Sequence, residues 1–179
     1  MLLRARQEDG FGMVELLAAM FILTIALLAL MAGYSSAFVS LHSASNKSTA
    51  ATLADNQLEL YSSLPYDSVG LDQATLQTTQ TGDSLYVADE AGLNSTLADP
   101  SDASDSTITS CGSTPQCLPV QTVTGTDGRS YRLETFIRDV KASSTWTERV
   151  VTVIARDPNE SGDPELVRLT AGFDSGPAS

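Results

Sequence analysis

The feature that most constrains the fold is an apolar segment near the N-terminus. No Lys, Arg, Asp or Glu occurs between Glu15 and Lys47, and residues 16–30 are apolar except for Thr24. A membrane-spanning helix needs roughly 20 residues, and residues 11–33 supply 23 without a proline. The abundance of Leu, Ala, Ile and Met favours a helix. We therefore expect a transmembrane helix over residues 11–33.

The flanking residues orient this helix and leave three interpretations open. Arg4 and Arg6 precede it, which predicts a cytoplasmic N-terminus by the positive-inside rule. A secretory signal peptide with a cleavage site at residues 35–37 is one interpretation, but the apolar run is long for that class. A plain single-pass anchor is the second, and it leaves Glu15 unexplained. The third interpretation starts from the need of Glu15 for a partner.

Glu15 is an acidic residue inside the apolar segment. A carboxylate at the centre of a membrane helix costs about 2.5–3.5 kcal/mol. Cleavage after Gly10 would create an amino group on Phe11, four residues before Glu15. Such an amine and the carboxylate neutralise each other, either within one helix or between neighbouring helices.

These residues resemble a known motif. Gly10 followed by Phe11-Gly-Met-Val-Glu15-Leu-Leu-Ala-Ala is similar to the prepilin cleavage and methylation motif of type IV pilins. The resemblance implies cleavage after Gly10, N-methylation of Phe11 and a role for Glu15 in filament assembly. Residues 53–71 are similar to PilV-like minor pilins. Many pilins carry a proline halfway along the apolar helix, whereas Gly33 is the comparable break here.

The resemblance implies a structural subunit, a minor pilin of a type IV pilus, that primes or modifies the filament. Its partners would be prepilin peptidase, other pilin subunits through the N-terminal helix, the pilus assembly platform and, before assembly, the lipid bilayer. It would lie in the cytoplasmic membrane with its N-terminus inside, and then in an extracellular filament. A pseudopilin of a type II secretion system and a secreted or membrane-anchored binding module remain alternatives.

Composition argues against catalysis and nucleic-acid binding. The formal net charge is −12, whereas phosphate contacts need clustered Lys and Arg. His42 is the single histidine, which argues against a Ser-His-Asp triad and excludes a multi-histidine metal site. The phosphate-binding and dinucleotide-binding glycine motifs are absent. We predict no enzyme activity, no cofactor and no nucleic-acid partner.

The chain divides into five predicted segments: a cleaved leader (1–10), the transmembrane or filament-core helix (11–33), an amphipathic helix (34–64), an acidic connecting region (65–117), and a β-sheet with a C-terminal tail (118–179). The amphipathic helix has an apolar stripe of Ala50, Leu53, Leu60 and Leu64, and we expect Asn46 to face water. Pro65 ends the pattern.

The acidic connecting region holds eight acidic residues and no basic ones between positions 66 and 117. Because Ser, Thr, Gly and Asp dominate it, we expect little regular structure, with the apolar island at residues 85–87 packed on the helix. The acidic residues are Asp67, Asp72, Asp83, Asp89, Glu90, Asp99, Asp102 and Asp105.

Four alternating segments predict an antiparallel sheet with short connections: residues 118–124, 130–140, 146–156 and 166–173. One apolar face would pack on the amphipathic helix, which gives an α+β, type IV pilin-like fold. The basic residues along the strands would form the solvent face. Arg132 and Arg138 would meet the acidic region of an adjacent subunit.

Two loops contain candidate sites. Outside the cytoplasm Cys111 and Cys117 are expected to form a disulfide, and pilins often carry one near the C-terminal end. Residues 157–163 match the first half of a calcium loop, with oxygen ligands from Asp157, Asn159, Ser161 and Asp163. Arg168 replaces the bidentate glutamate of that motif, so we favour a polar hairpin loop and predict no metal.

Overall fold

The computed structural model describes residues 12–96, 103–109, 111, 114–141 and 147–174. Its first element is a 50-residue helix, α1 (Met13–Ser62), and its C-terminal part is an antiparallel sheet. The predicted α+β class is therefore confirmed. The chain forms two compact units, Met1–Ala44 and Ser45–Ser179. We call the second unit the head.

Helix α1 is continuous through Gly33. Strong helix formers fill its first half, and no proline occurs before Pro65. The residue before a proline is disfavoured in the helical region, so the chain leaves the helix near this point. The helix ends at Ser62, two residues before the predicted end.

The buried stripe of α1 in the head differs from the predicted one. Its members are spaced three or four residues apart and include two polar side chains: Asn46, Ala50, Ala54, Gln57 and Tyr61. Leu60, predicted to lie in the core, is 37% exposed, and Asn46, predicted to face water, is buried. The small alanines let the helix approach the sheet closely, and Leu53, Leu58 and Leu64 pack at the margin of the core.

The acidic connecting region contains two helices, so the prediction of little regular structure is wrong. Strand β1 (Leu71–Asp72) leads into α2 (Gln73–Gly82), and α3 (Ser84–Ser95) follows at once. The Asp72 carboxylate accepts from the Thr75 amide at 2.9 Å and caps α2. Asp83 caps α3 by accepting from the amides of Leu85 and Tyr86, each at 3.2 Å. Aspartates that resemble a solvated charge run are therefore N-caps.

The main sheet is an antiparallel arrangement built around two long strands. These are β5 (Ser130–Lys141) and β6 (Thr147–Arg156), and β7 (Glu165–Phe173) pairs with the other edge of β6. The first edge of β5 is shared by β4 (Val120–Thr124) and β2 (Ala103–Asp105). A further short strand, β3 (Thr107–Ile108), pairs in parallel with β1. The β4–β5 turn contains Gly128 in the left-handed region, at φ 76°.

Both faces of the sheet are covered, whereas the sequence predicted one apolar face. Tyr131, Leu133, Thr135 and Ile137 of β5 alternate toward the side on which α1 packs, and Thr49 of α1 lies beside the Tyr131 ring near Gly125. On the opposite face the ring of Phe136 stacks on Tyr86 of α3, with ring centroids 4.4 Å apart. Tyr86, the buried residue of the island at 85–87, therefore packs on the sheet and not on α1 as predicted, and Val87 is 39% exposed.

Candidate assembly helix and interlayer charge cluster

The first part of α1 carries an apolar surface that no other described residue covers. Between Met13 and Leu41 its large apolar side chains are 52% to 85% exposed. The helix is long and apolar enough to cross a membrane. Monomeric soluble proteins rarely expose apolar patches of this size, so lipid or other protein chains are the expected cover.

Polar side chains within this surface are satisfied by the helix itself. The Thr24 hydroxyl donates to the Phe21 carbonyl at 2.7 Å, and the Ser35 hydroxyl donates to the Met31 carbonyl at 3.1 Å. Such bonds to the preceding turn remove the penalty of an unpaired hydroxyl in hydrocarbon. The interruptions of the apolar run are therefore compatible with a membrane or a filament core.

Glu15 lies in the first turn of α1, where its amide donates to the Gly12 carbonyl at 2.9 Å. A carboxylate at this end of a helix is favoured by the helix dipole. Within the described ranges, no basic side chain forms an ion pair with Glu15. Gly10 and Phe11, the predicted cleavage and methylation sites, lie outside the described residues.

Residues 5–31 match the family model of the prokaryotic N-terminal methylation motif. The match includes Gly10, Phe11 and Glu15, and it supports a type IV pilin-like or pseudopilin-like precursor. Proteins of this kind are membrane-anchored structural subunits processed by prepilin peptidase. The long N-terminal helix and the antiparallel sheet are consistent with the pilin fold. No curated protein and no solved structure matches the chain.

The head has a charged layer that sequence reasoning missed. Between the α2–α3 layer and the sheet lie five charged side chains, which we call the interlayer charge cluster: Asp83, Asp89, Arg132, Glu134 and Arg156. Their side chains are at most 26% exposed, and that of Glu134 is fully buried. The acidic region contains no basic residues, so its carboxylates can form ion pairs only with residues elsewhere in the chain. This was the signal that sequence reasoning missed.

The arginines pair within their own chain. Arg132 donates to Asp83 at 2.6 Å and to Glu134 at 2.7 Å, and Arg156 donates to Asp89 at 2.5 Å. The prediction that the strand arginines form a solvent face is therefore wrong for Arg132 and Arg156. Their acidic partners lie in the same subunit and hold the α2–α3 layer on the sheet.

Arg138 shows the same behaviour at the far end of α3. Its guanidinium donates to the Asn94 side chain and lies 3.8 Å from the Asp105 carboxylate of β2. Gln80 of α2 donates to that carboxylate at 3.1 Å and to Glu90 at 2.9 Å. The partners of Arg138 in the described residues thus lie in its own chain, and its predicted contact with an adjacent subunit stays a prediction.

The environment shifts the acidity of several of these groups. Burial and a hydrogen bond with Asp89 raise the pKa of Glu134 to about 7, although the Arg132 guanidinium opposes the shift. Burial acts to raise the pKa of Asp83, but the hydrogen bond and charge of Arg132, together with the hydrogen bonds from the amides of Tyr86 and Leu85, leave that pKa below its usual range. Burial also raises the pKa of Tyr86.

Cys111 and Cys117 form a disulfide with their Cα atoms 6.0 Å apart. The loop that they enclose is fastened to α1, because the Gln57 side chain donates to the Pro115 carbonyl at 3.2 Å. The Cys111 amide donates to the Asp72 carboxylate at 3.4 Å, so the disulfide also lies next to the cap of α2. The bridge therefore connects the helical layer to the start of the sheet.

The Asp157 loop is a hairpin connection between β6 and β7. Asp157 is buried, and its two oxygens accept from Arg129 at 2.8 Å and from the Asn159 side chain at 2.8 Å. Gly162 and Asp163 adopt positive φ angles of 88° and 44°. Among the described residues no three His, Cys, Asp or Glu side chains come together to hold a metal. The carboxylate instead fastens the hairpin to Arg129 at the end of the β4–β5 turn.

Proposed function

We propose that this protein is a minor pilin, a structural subunit of a type IV pilus, and that it has no catalytic role. The observation that carries the proposal is the apolar surface of α1 between Met13 and Leu41, which begins within the methylation motif and includes Glu15. Such a surface needs a bilayer before assembly and other helices after it. The resemblance of residues 53–71 to PilV-like sequences supports the minor role.

In this proposal prepilin peptidase removes residues 1–10 and N-methylates Phe11. The N-terminus faces the cytoplasm, as the positive charge of Arg4 and Arg6 favours, and the head lies outside. The assembly platform then transfers the subunit from the membrane into the filament, where its N-terminal helix packs among those of other pilin subunits.

Glu15 has a specific task in this step. Its carboxylate pairs with the N-terminal amine of an adjacent subunit, because neither charge is stable alone in an apolar core. The interaction of opposite charges strengthens as water is excluded, so the pair sets the register between helices. The head takes no part in this charge pair. It is displayed on the filament surface or near its tip, where it primes or modifies the filament.

The decisive measurement is the intact mass and N-terminal sequence of the protein from membranes and from sheared surface fibres. We expect a start at Phe11 with one additional methyl group, and protein in both fractions. A start near Phe38 would mean ordinary secretion, and an uncut Met1 would mean a plain anchor, so either result would contradict the proposal. A processed protein that never enters surface fibres, in cells that lose type II secretion when it is deleted, would make it a pseudopilin.

A further inference from the structure

The interlayer charge cluster brings together an uneven number of charges. Asp83 and Asp89 approach from the helical layer, Arg132 and Glu134 from β5, and Arg156 from β6. Three carboxylates and two guanidiniums sum to −1 when all are ionised. A net charge in a layer shielded from water is unfavourable, because the protein interior solvates it poorly.

Two of the carboxyl groups lie close together within this layer. The Arg156 Nε group donates to Asp89 Oδ2 at 3.1 Å and to Glu134 Oε2 at 3.2 Å. The two carboxyl groups therefore accept from the same N–H group, which brings their oxygens together in a layer shielded from water. Two ionised carboxylates contain no proton to donate, so a direct hydrogen bond between these groups forms only when one of them is protonated. A single proton both completes the bond and brings the cluster to neutrality.

We propose that Glu134 carries this proton and donates it to Asp89, and that the proton latches the α2–α3 layer onto the sheet. The latch joins strand β5 to helix α3 directly, beside the stacked rings of Tyr86 and Phe136. When Glu134 ionises, the hydrogen bond to Asp89 is replaced by repulsion between two carboxylates. The layer then opens more often, and the face of Phe136 becomes accessible.

The pKa of Glu134 supports this assignment and fixes its direction. Burial and then the Asp89 hydrogen bond raise it to about 7, against the effect of Arg132. Because the pKa is raised above its value in the unfolded chain, protonation stabilises the docked layer at acidic pH. That stabilisation is lost as the pH rises from about 4.5 through about 7.

The other charged groups around Glu134 and Asp89 either shift with pH in the same direction as Glu134 or form ion pairs. At its rim Arg156 lies 4.0 Å from Glu165, which pairs with Arg168 of the same strand at 2.7 Å. The Arg156 Nη1 group donates to the Asp163 carbonyl at 2.8 Å.

At the other end of α3, burial and the neighbouring Asp105 raise the pKa of Glu90, which faces Gln80 and Arg138. The pKa of Glu90 is therefore shifted in the same direction as that of Glu134.

Hydrogen–deuterium exchange of the full chain in detergent micelles tests the latch. After correction for the pH dependence of intrinsic exchange, we expect amides of Ser84–Ser95 to lose about tenfold in protection between pH 6 and pH 8.5, since one opening releases about one proton in this range. Amides of β6 should change much less. Equal protection of α3 at both pH values would overturn the proposal.

Three variants distinguish protonation of Glu134 from a general effect of pH on charged groups. Glu134→Gln keeps a donor and an acceptor but cannot ionise, so its α3 protection should change less than threefold and remain high at pH 8.5. Asp89→Asn removes the neighbouring carboxylate and should also flatten the profile. Glu59→Gln, on the exposed face of α1, is the control and should keep the full change.

If Glu134→Gln and Asp89→Asn both show the wild-type loss of α3 protection with pH, the proposal is overturned. If Glu134→Gln does not fold, a 13C NMR titration of the wild-type Glu134 carboxyl decides, because a midpoint near 4.5 would contradict the latch and a midpoint near 7 would support it.

Discussion

The guanidinium of Arg149 stacks on the ring of Tyr66, with its Cζ atom 4.4 Å from the ring centroid. Its Nη1 group donates to the carbonyls of Tyr66 and Val69 at 2.7 and 2.9 Å. Its Nε and Nη2 groups donate to the two oxygens of Asp139 at 2.7 and 3.1 Å. One side chain of β6 thus fixes the segment that directly follows α1, and a planar, forked cation is needed for these contacts.

Replacement of Arg149 should therefore destabilise the head. We expect Arg149→Ala to lower the free energy of unfolding by roughly 2–4 kcal/mol, since it leaves a half-buried carboxylate and two carbonyls unpaired. Arg149→Lys should recover only part, because lysine lacks the fork. Thermal unfolding of the full chain in detergent, followed by circular dichroism, measures both. The control is Arg168→Ala, whose exposed pair with Glu165 is worth at most about 1 kcal/mol. Equal effects at both sites would contradict the prediction.

The role proposed for Glu15 predicts a defect in assembly rather than in processing. Glu15→Gln removes the charge but keeps the size, so we expect at least a tenfold loss from sheared fibres. Because the amide is easier to bury than the carboxylate, membrane levels should not fall. Quantitative immunoblots of the two fractions, with N-terminal sequencing, are the measurement.

Glu59→Gln, in the head part of the same helix, should assemble normally. Normal incorporation of Glu15→Gln would show that the carboxylate does not set the register.

Two glycines should respond oppositely to the same added methyl group. A Cβ atom at Gly125 would lie 2.6 Å from Thr49 Cγ2 and 2.8 Å from a ring carbon of Tyr131, both in the packed interface between α1 and the sheet. We expect Gly125→Ala to cost roughly 1–3 kcal/mol by overpacking. A Cβ atom at Gly172 would meet the end of the Glu148 side chain, which is free to rotate away.

Gly172→Ala should therefore change stability by less than about 0.5 kcal/mol, the range of ordinary surface substitutions. Thermal unfolding of the two variants side by side provides the comparison. A larger loss for Gly172→Ala would show that Glu148 is held in place.

The disulfide should stabilise the head by restricting the unfolded chain. For so short a loop, the Cys111→Ser/Cys117→Ser variant is expected to lose about 2 kcal/mol in the chain-entropy model. Reduction with dithiothreitol should lower the unfolding temperature of the wild type to that of the double variant. The reductant should leave the variant itself unchanged, which is the internal control. An unchanged wild-type unfolding temperature on complete reduction would contradict the prediction.

Several features of the head followed from local patterns. Alternation in residues 130–140 predicted strand β5 nearly to its ends, because successive side chains of a strand point to opposite faces and apolar residues recur on the face toward α1. The other predicted strands differ from β4, β6 and β7 by one or two residues at their starts. Cap and turn residues were less informative, since Asp72 and Asp83 were interpreted as solvated charge although each starts a helix.

The pattern also misidentified part of the core. Leu60 fits the apolar stripe of α1 but is 37% exposed, whereas Asn46 and Gln57 are buried. Helical periodicity places residues on one face but does not fix the rotation of that face toward the sheet. The close approach at Gly125 and the hydrogen bond from Gln57 to Pro115 determine that rotation, and both connect segments far apart in the chain.

The sequence by itself determined the apolar helix, the position of Glu15 within it, and the presence of an antiparallel sheet. These depend on composition and on spacings of two to four residues, which are local properties of the chain. The tertiary structure alone decided that the strand arginines face Asp83 and Asp89 of their own subunit, and that Glu134 is buried among them. Charge pairing over 49 and 67 residues depends on how α3 packs on the sheet, because electrostatic attraction does not specify a partner until burial excludes water.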